Sequence, residues 1–518
     1  MTRTKPYFVT SAIPYVNAAP HVGFAMELVQ ADVLARYQRL LGKDVRFLTG
    51  TDENSLKNAR AAAAIGVPTE TLVENNALKF RELRDALDLS WDDFIRTSAD
   101  LRHRRGVATL WNACAAAGDI YKADYIGLYC VGCEQFVIDA ELRDGRCPEH
   151  GVLPERIEEE NYFFRLSRYA NVLTDLIESG TLRIVPASRR NEVLSFLRQP
   201  IDDLSISRSR VRALGWGLPV PGDPDQVIYV WFDALANYVT ALDFAERAPL
   251  YQRYWSSAGD RVHVIGKGVT RFHAVYWPAF LLSAGLPLPS EILVHGYLTV
   301  GGSKISKSSA NAIDPIELAV RHGVDPLRYF LLRHINTHED GDFREDGIRA
   351  AYDAELANGL GNLLSRTLGL IERFADNTIP TPGASAAVDA LLLESARTLR
   401  TDVEDAIAEF RLDQALARIW RLVDEANRYV VVAEPWKLAR SASHGDRLRL
   451  RTVLYNLVET LRIIAISLTP FLPGTAAAIT RQLGVEPGTA PSLLDWRRTG
   501  PGTRIARSAP LFPKGTGT

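Results

Sequence analysis

The chain has 518 residues, 47% hydrophobic and 24% charged, and its 60 basic and 62 acidic side chains leave a net charge of −2. That length is too great for one hydrophobic core and implies two to four domains, and that charge balance excludes a bulk polycation, so any nucleic-acid contact must come from a local basic surface. The apolar runs RIIAISLTPFLPG and YWPAFLLSAGLPLP are broken by proline before the length of a membrane helix, and the start MTRTKPYFVTSAIPYV is too short in apolar residues for a secretory signal, so a cytoplasmic protein without membrane association is expected.

In chain order, KPYFVTSAI (5–13) reads as a buried strand, PYVNAAPHVGF as a loop, and residues from about Gly23 to Leu41 as a helix, because Met26, Val29, Val33, Tyr37 and Leu40 recur at helical spacing. VRFLTG (45–50) is the next strand and NSLKNARAAAA the next helix, a rhythm that predicts a parallel sheet. From about 117 to 225 the rhythm lapses into a cysteine cluster, short mixed segments and the arginine-rich SISRSRVRALGWG. It returns with QVIYVWFDAL (226–235), DRVHVIGKG (260–268) and EILVHGYLTV (291–300), each expected to be a strand leading into a helix or loop, so the sheet is read as split by an insertion. Beyond about 350 the segments are long, amphipathic and rich in Ala, Leu and Arg, as in a helix bundle, and the last thirty or so residues read as a loose tail.

Two segments suit an anion. In PYVNAAPHVGF, His21 and Gly23 stand where a strand becomes a helix, a place whose backbone N–H groups and dipole favour phosphate. In GGSKISKSS, Lys304 and Lys307 lie on a glycine- and serine-rich loop, and each ammonium offers three donors. Both segments would lie at the carboxyl ends of parallel strands, where open α/β sheets bind ligands. A third constellation is C-x-x-C at 130 and 133, thirteen residues, then C-x-x-H at 147 and 150, the spacing of a zinc ribbon with four protein ligands. Cys130, Cys133, Cys147 and His150 are therefore expected to hold one structural Zn²⁺, while Cys114 reads as a small buried hydrophobe.

PHVGF and KISKS around a split sheet, with VTSAIPYVNAAPHVG, TGTDEN, DDFIRT, SISR, WGLPVP, YVWFDALANY, RFHAVYWPAFL and HGYLTVGGSKISKS, resemble the methionyl-tRNA synthetases, class I aminoacyl-tRNA synthetases of bacterial type, over about residues 5 to 470. The resemblance implies an ATP-dependent ligase that forms methionyl-adenylate, with Mg²⁺ accompanying ATP, and then charges tRNA(Met), initiator tRNA included. It implies that His21, Lys304 and Lys307 act on the triphosphate, with Asn17, Gly23 and Glu27 along the nucleotide. Asp52 would meet the α-ammonium of methionine. Ile13, Tyr15, Trp231, Ala234, Tyr238 and His273 would surround its side chain, with Phe272 and Trp277 behind. In the bundle it assigns Asn362, Arg366 and Trp436 to the CAU anticodon, a role that suits an aromatic platform beside edge-reading polar groups.

The expected divisions are a Rossmann-like catalytic domain in two halves (1–116 and 226–300), a connective insertion with a zinc knuckle (117–225), the lysine loop with a stem-contact region (301–349), a helical anticodon-binding domain (350–470) and a tail (471–518). The insertion is too short for a large hydrolytic editing domain, so homocysteine, one methylene shorter than methionine at sulfur, is expected to be activated and to cyclise in the synthetic site. A monomer is expected, because no further C-terminal domain follows. Three positions depart from the family pattern: Phe24 stands where a second histidine is usual, Gly268 replaces the aspartate of a Gly-Lys-Asp turn, and Ile305 replaces methionine between the lysines.

Overall fold

The computed structural model describes residues 5–137, 139–148, 151–304, 313–485 and 494–513. Six strands form the central sheet in the order Asp93–Arg96, Val45–Thr51, Tyr7–Ser11, Asp260–Gly266, Glu291–His295, Arg183–Val185. Every pairing is parallel, with Phe8 opposite Arg46 on one side and Arg261 on the other. Strand Tyr7–Ser11 is buried along its whole length and alternates between two cores. Tyr7 and Val9 face one that continues into the helix bundle, and Phe8 faces one shared with the insertion. The second and fifth segments of the chain to reach the sheet flank this first strand on opposite sides, which makes its carboxyl end a topological switch point and an open crevice.

Two expectations about strands change. QVIYVWFDAL does not enter the central sheet: Asp223–Ile228 pairs antiparallel with Pro219–Val220 and Ser207–Ser209, and Val230–Leu235 is a helix. The sixth strand is Arg183–Val185, inside the stretch read as insertion, paired parallel with Glu291–His295. The insertion's own sheet is antiparallel, in the order Gln135–Val137, Ile120–Cys130, Glu155–Phe164, Leu204–Ser205. A small sheet of Ser303–Lys304, Leu298–Val300 and Gly341–Asp342 lies at the root of the lysine loop.

The bundle contains the helices Asn362–Phe374, Ala390–Ala408, Leu412–Ala433 and His444–Leu468. In Leu412–Ala433 the buried residues Leu412, Ala415, Leu416, Ile419, Leu422, Val423, Ala426, Tyr429 and Val430 make one stripe, the spacing that drives such a helix onto its neighbours. Residues near the C-terminus are not a loose tail where they are described. Helix Pro473–Leu483 ends at Gly484, φ 66°, where a Cβ would come 2.4 Å from the Arg504 carbonyl oxygen. The segment 494–513 runs back over the bundle: buried Glu459 accepts from the Arg498 and Thr499 N–H groups at 2.8 and 3.1 Å, and Ile379 N–H donates to the Thr503 carbonyl at 2.9 Å.

Bundle and sheet are joined by Arg328, which is fully buried. Its guanidinium donates to Asp32 Oδ2 (2.8 Å) and to the carbonyls of Leu87 (3.0 Å), Asp88 (3.2 Å), Pro470 (3.2 Å) and Phe471 (2.8 Å). Burial pushes the Asp32 carboxyl up, but Arg328 and Arg36 outweigh it and hold it below the usual carboxylate range. No helix among the described residues is long and apolar enough to cross a membrane.

Candidate active site

His21 caps helix Val22–Leu40 from an extended conformation, and its Nδ1 accepts the N–H groups of Gly23 (3.1 Å) and Phe24 (3.4 Å). A nitrogen that accepts carries no proton, so the ring's proton sits on Nε2. This alters the expected logic of the site. The N–H groups of Gly23 and Phe24 are taken up by the His21 ring, whose own donor is Nε2–H. Gly23 makes room for the ring: a Cβ there would lie 3.0 Å from its Cε1 and Nδ1. Phe24 turns into the core, 8% exposed, with its ring 5.5 Å from that of Phe80, so the position of the family's second histidine carries packing here.

The lysine loop begins and ends beside this cap. Thr299 pairs with Lys304 in the hairpin that opens the loop, Asp342 Oδ1 accepts the Gly302 N–H at 3.1 Å, and Val22 N–H donates to the Ile313 carbonyl at 2.9 Å. Lys307 lies outside the described residues, and Lys304 is placed by its backbone. Asn17 is half-buried in the loop before the helix. Glu27, one turn into the helix and buried, accepts from the Ala12 N–H at 2.8 Å and meets His295 Nε2 at 2.9 Å. His295 Nδ1 lies 2.7 Å from the Gly296 carbonyl. Gly268 belongs to a short turn whose neighbour Lys267 pairs with Asp340 at 2.6 Å.

Asp52 follows strand Val45–Thr51 at its carboxyl end, held by a backbone bridge to Tyr15 and by its N–H to the Pro14 carbonyl at 2.9 Å. It is 1% exposed, and its Oδ1 has no hydrogen-bond partner among the described residues. Burial, then the nearby Asp233 and Glu134, push its carboxyl well above the usual range. Those two acids are already matched: Asp233 with His103 and Asn54, Glu134 with Arg208. The Asn54 backbone N–H favours the charged form of Asp52, but burial and the two acids outweigh it, and such a buried carboxylate is costly unless something cationic joins it.

The walls beside Asp52 are aromatic. Trp231 stacks on Phe272 with centroids 3.7 Å apart and planes 5° apart, and meets Tyr15 and His273 edge-on. Ile13 and Ala234 are buried nearby in the sequence segments that carry Tyr15 and Trp231. His273 donates from Nδ1 to the Val269 carbonyl at 2.9 Å, and the Tyr238 hydroxyl donates to its Nε2 at 2.7 Å. Burial lowers His273 to about 4, so that ring is neutral, while Lys57 Nζ lies over the Tyr15 ring, 5.2 Å from its centroid. Behind it, Trp277 Nε1 donates to His263 Nε2 at 3.2 Å, and His263 Nδ1 meets the Thr10 hydroxyl at 2.8 Å. Thr10 and His263 escape sequence reasoning, because nothing at a separation of 253 residues signals that they touch.

Cys130, Cys133 and Cys147 bring their sulfurs within 4.8 Å of one another and form no disulfide. The adjacent Cys130 thiol, then burial, pushes the Cys133 thiol far up, so a bound cation is what would let the three act as thiolates. The cluster fits a soft divalent metal. His150, the expected fourth ligand, lies outside the described residues. In the bundle, Asn362 is exposed and Arg366 half-exposed, one turn apart on a helix, while Trp436 is half-buried against the core just after the Ala433 helix end. No described contact joins Trp436 to the other two.

The family model described as tRNA synthetases class I (M) matches residues 7–153 and 141–368. Methionine–tRNA ligases of Mycobacterium bovis and Brucella suis are 44% identical over 515 residues and 42% identical over 520, each covering at least 98% of both chains. The methionyl-tRNA synthetase of Mycobacterium tuberculosis in complex with methionyl-adenylate superposes with a TM-score of 0.94 at 44% identity, covering 99% of this chain and 100% of that one. Its free-state structure superposes with a TM-score of 0.88, covering 99% of each chain.

Proposed function

We infer the roles of the site residues from one premise: the chain belongs to the methionine–tRNA ligases, a family of class I tRNA synthetases. The enzyme activates L-methionine with ATP to methionyl-adenylate and pyrophosphate, then transfers the methionyl group to the 3′ end of tRNA(Met). The observation that carries the site assignment is Asp52 Oδ1, buried and unpartnered among the described residues at the mouth of an aromatic pocket. An α-ammonium is the cation that fits, and the pocket then takes an unbranched, polarisable side chain.

In this reading Asp52 fixes the ammonium, while Ile13, Tyr15, Trp231, Ala234, Tyr238 and neutral His273 enclose the thioether. The methionine carboxylate is thereby aimed at the α-phosphorus of ATP. Its oxygen forms the new P–O bond in line as the bond to pyrophosphate breaks. His21 donates Nε2–H to the phosphates, Asn17, Gly23 and Glu27 line the nucleotide, and Lys304 and Lys307 meet the charge that builds on the leaving group. Mg²⁺ bound with ATP would supply further neutralisation of the phosphates. In the second step a ribose hydroxyl at the tRNA 3′ end attacks the acyl carbon and AMP leaves. Asn362, Arg366 and Trp436 read the anticodon, and Cys130, Cys133, Cys147 and His150 hold one Zn²⁺ as a structural crosslink.

The deciding experiment is ATP–pyrophosphate exchange with each amino acid in turn. Exchange should depend on methionine, with weak exchange for homocysteine, and Lys307→Ala should slow it by about a hundredfold or more. Equal exchange with and without Lys307 would remove the loop from the mechanism.

A further inference from the structure

Glu134 follows Cys133 directly and is fully buried, with a left-handed backbone at φ 54° that a side chain larger than glycine adopts only under constraint. Three stretches of chain converge on it. Its Oε1 accepts the Lys57 N–H at 2.9 Å, and Lys57 belongs to helix Leu56–Ala64, whose Asn58 donates to the Asp52 carbonyl at 3.1 Å. Its Oε2 accepts from the Tyr129 hydroxyl and from Arg208 Nη1 at 3.2 Å. Its carbonyl accepts the hydroxyl of Tyr229, two residues before Trp231, at 2.5 Å. Arg208 is itself buried and lies over the rings of Tyr129 and Tyr229.

We propose that Glu134 is a positioning residue for methionine, through which the cysteine cluster holds the Asp52 and Trp231 sides of the pocket in register. The proposal rests on the reading of that pocket as the methionine site. The cluster fixes the backbone at Cys133, the next residue spans both walls, and so the state of the metal is felt where the amino acid binds. The side chain must be a carboxylate. Two oxygens face donors on opposite sides, a backbone N–H and a guanidinium, and the amide of glutamine has one oxygen, so Glu134→Gln turns an NH₂ against one of them.

The test separates methionine from ATP. Glu134→Gln should raise the KM for methionine in exchange about tenfold, leave the KM for ATP within about twofold, and keep the wild-type zinc content. It should also shrink the rise in melting temperature that methionine produces. Stripping the metal from the wild type should weaken methionine binding in the same way and add little to the variant. An unchanged methionine KM, a parallel rise in both KM values, or additive effects of variant and chelation would overturn the proposal. Should Glu134→Gln not fold, Tyr229→Phe removes the other tie and should raise the methionine KM about threefold with ATP unaffected; no change overturns the proposal as well. A wild type without methionine-dependent exchange would instead refute the reading of the pocket.

Discussion

At Asp52 the proposed ammonium contact works against stability. Its carboxyl is pushed up by burial and by two neighbouring acids, so the folded chain binds that proton more tightly than the unfolded one. The penalty is absent below the ordinary carboxylate pKa of about 3.9 and grows as the pH rises to the folded value. Asp52→Asn should therefore melt higher than the wild type at neutral pH without substrate, with the gap closing on acidification, and methionine should no longer stabilise it. A variant that melts lower at neutral pH would mean that the charge is already matched in the empty site. The motif around Asp52 was legible in the sequence, as were Tyr15, Trp231 and His273. Glu134, Arg208, Thr10 and His263 were not, because each acts through a partner on a remote segment that one sequence cannot display.

Among the elements, the helices were the most readable and the short strands the least. Met26, Val29, Val33, Tyr37 and Leu40 marked helix Val22–Leu40 by their spacing. Three-residue Arg183–Val185 carries no alternation to read, and Val230–Leu235 reads as the continuation of a strand although it is a helix, because periodicity does not distinguish a buried strand from the start of a buried helix. The short helix Pro435–Arg440 presents a sharper question, since Trp436 is half-buried and packs on the core. If it also stacks on an anticodon base, Trp436→Ala should lose about 1–3 kcal/mol in tRNA charging, roughly 5- to 150-fold, with adenylate formation nearly intact. Equal losses in both reactions, read side by side, would make it a core residue only.

For the molecule as a whole, Arg328 is a buried tie between remote segments. Its five hydrogen bonds reach helix Val22–Leu40, the turn at 87–88 and the turn at 470–471. Arg328→Ala would leave Asp32 buried with only part of its compensation and should cost about 3–5 kcal/mol, measured by denaturant unfolding. Because Asp32 is held below its ordinary pKa, the stability it contributes is present above about pH 4 and is lost as the pH falls through the folded value, so acid should narrow the difference between variant and wild type. The change to helix-rich segments at about residue 350 is plain in composition, yet Arg328 lies on one side of it and the carbonyls of Pro470 and Phe471 on the other. A fragment ending at 349 would keep the Arg328 bonds to Asp32, Leu87 and Asp88 and lose those to Pro470 and Phe471. A buried cation thus straddles the border that composition draws, so trimming the chain there would reach into the packing of helix Val22–Leu40.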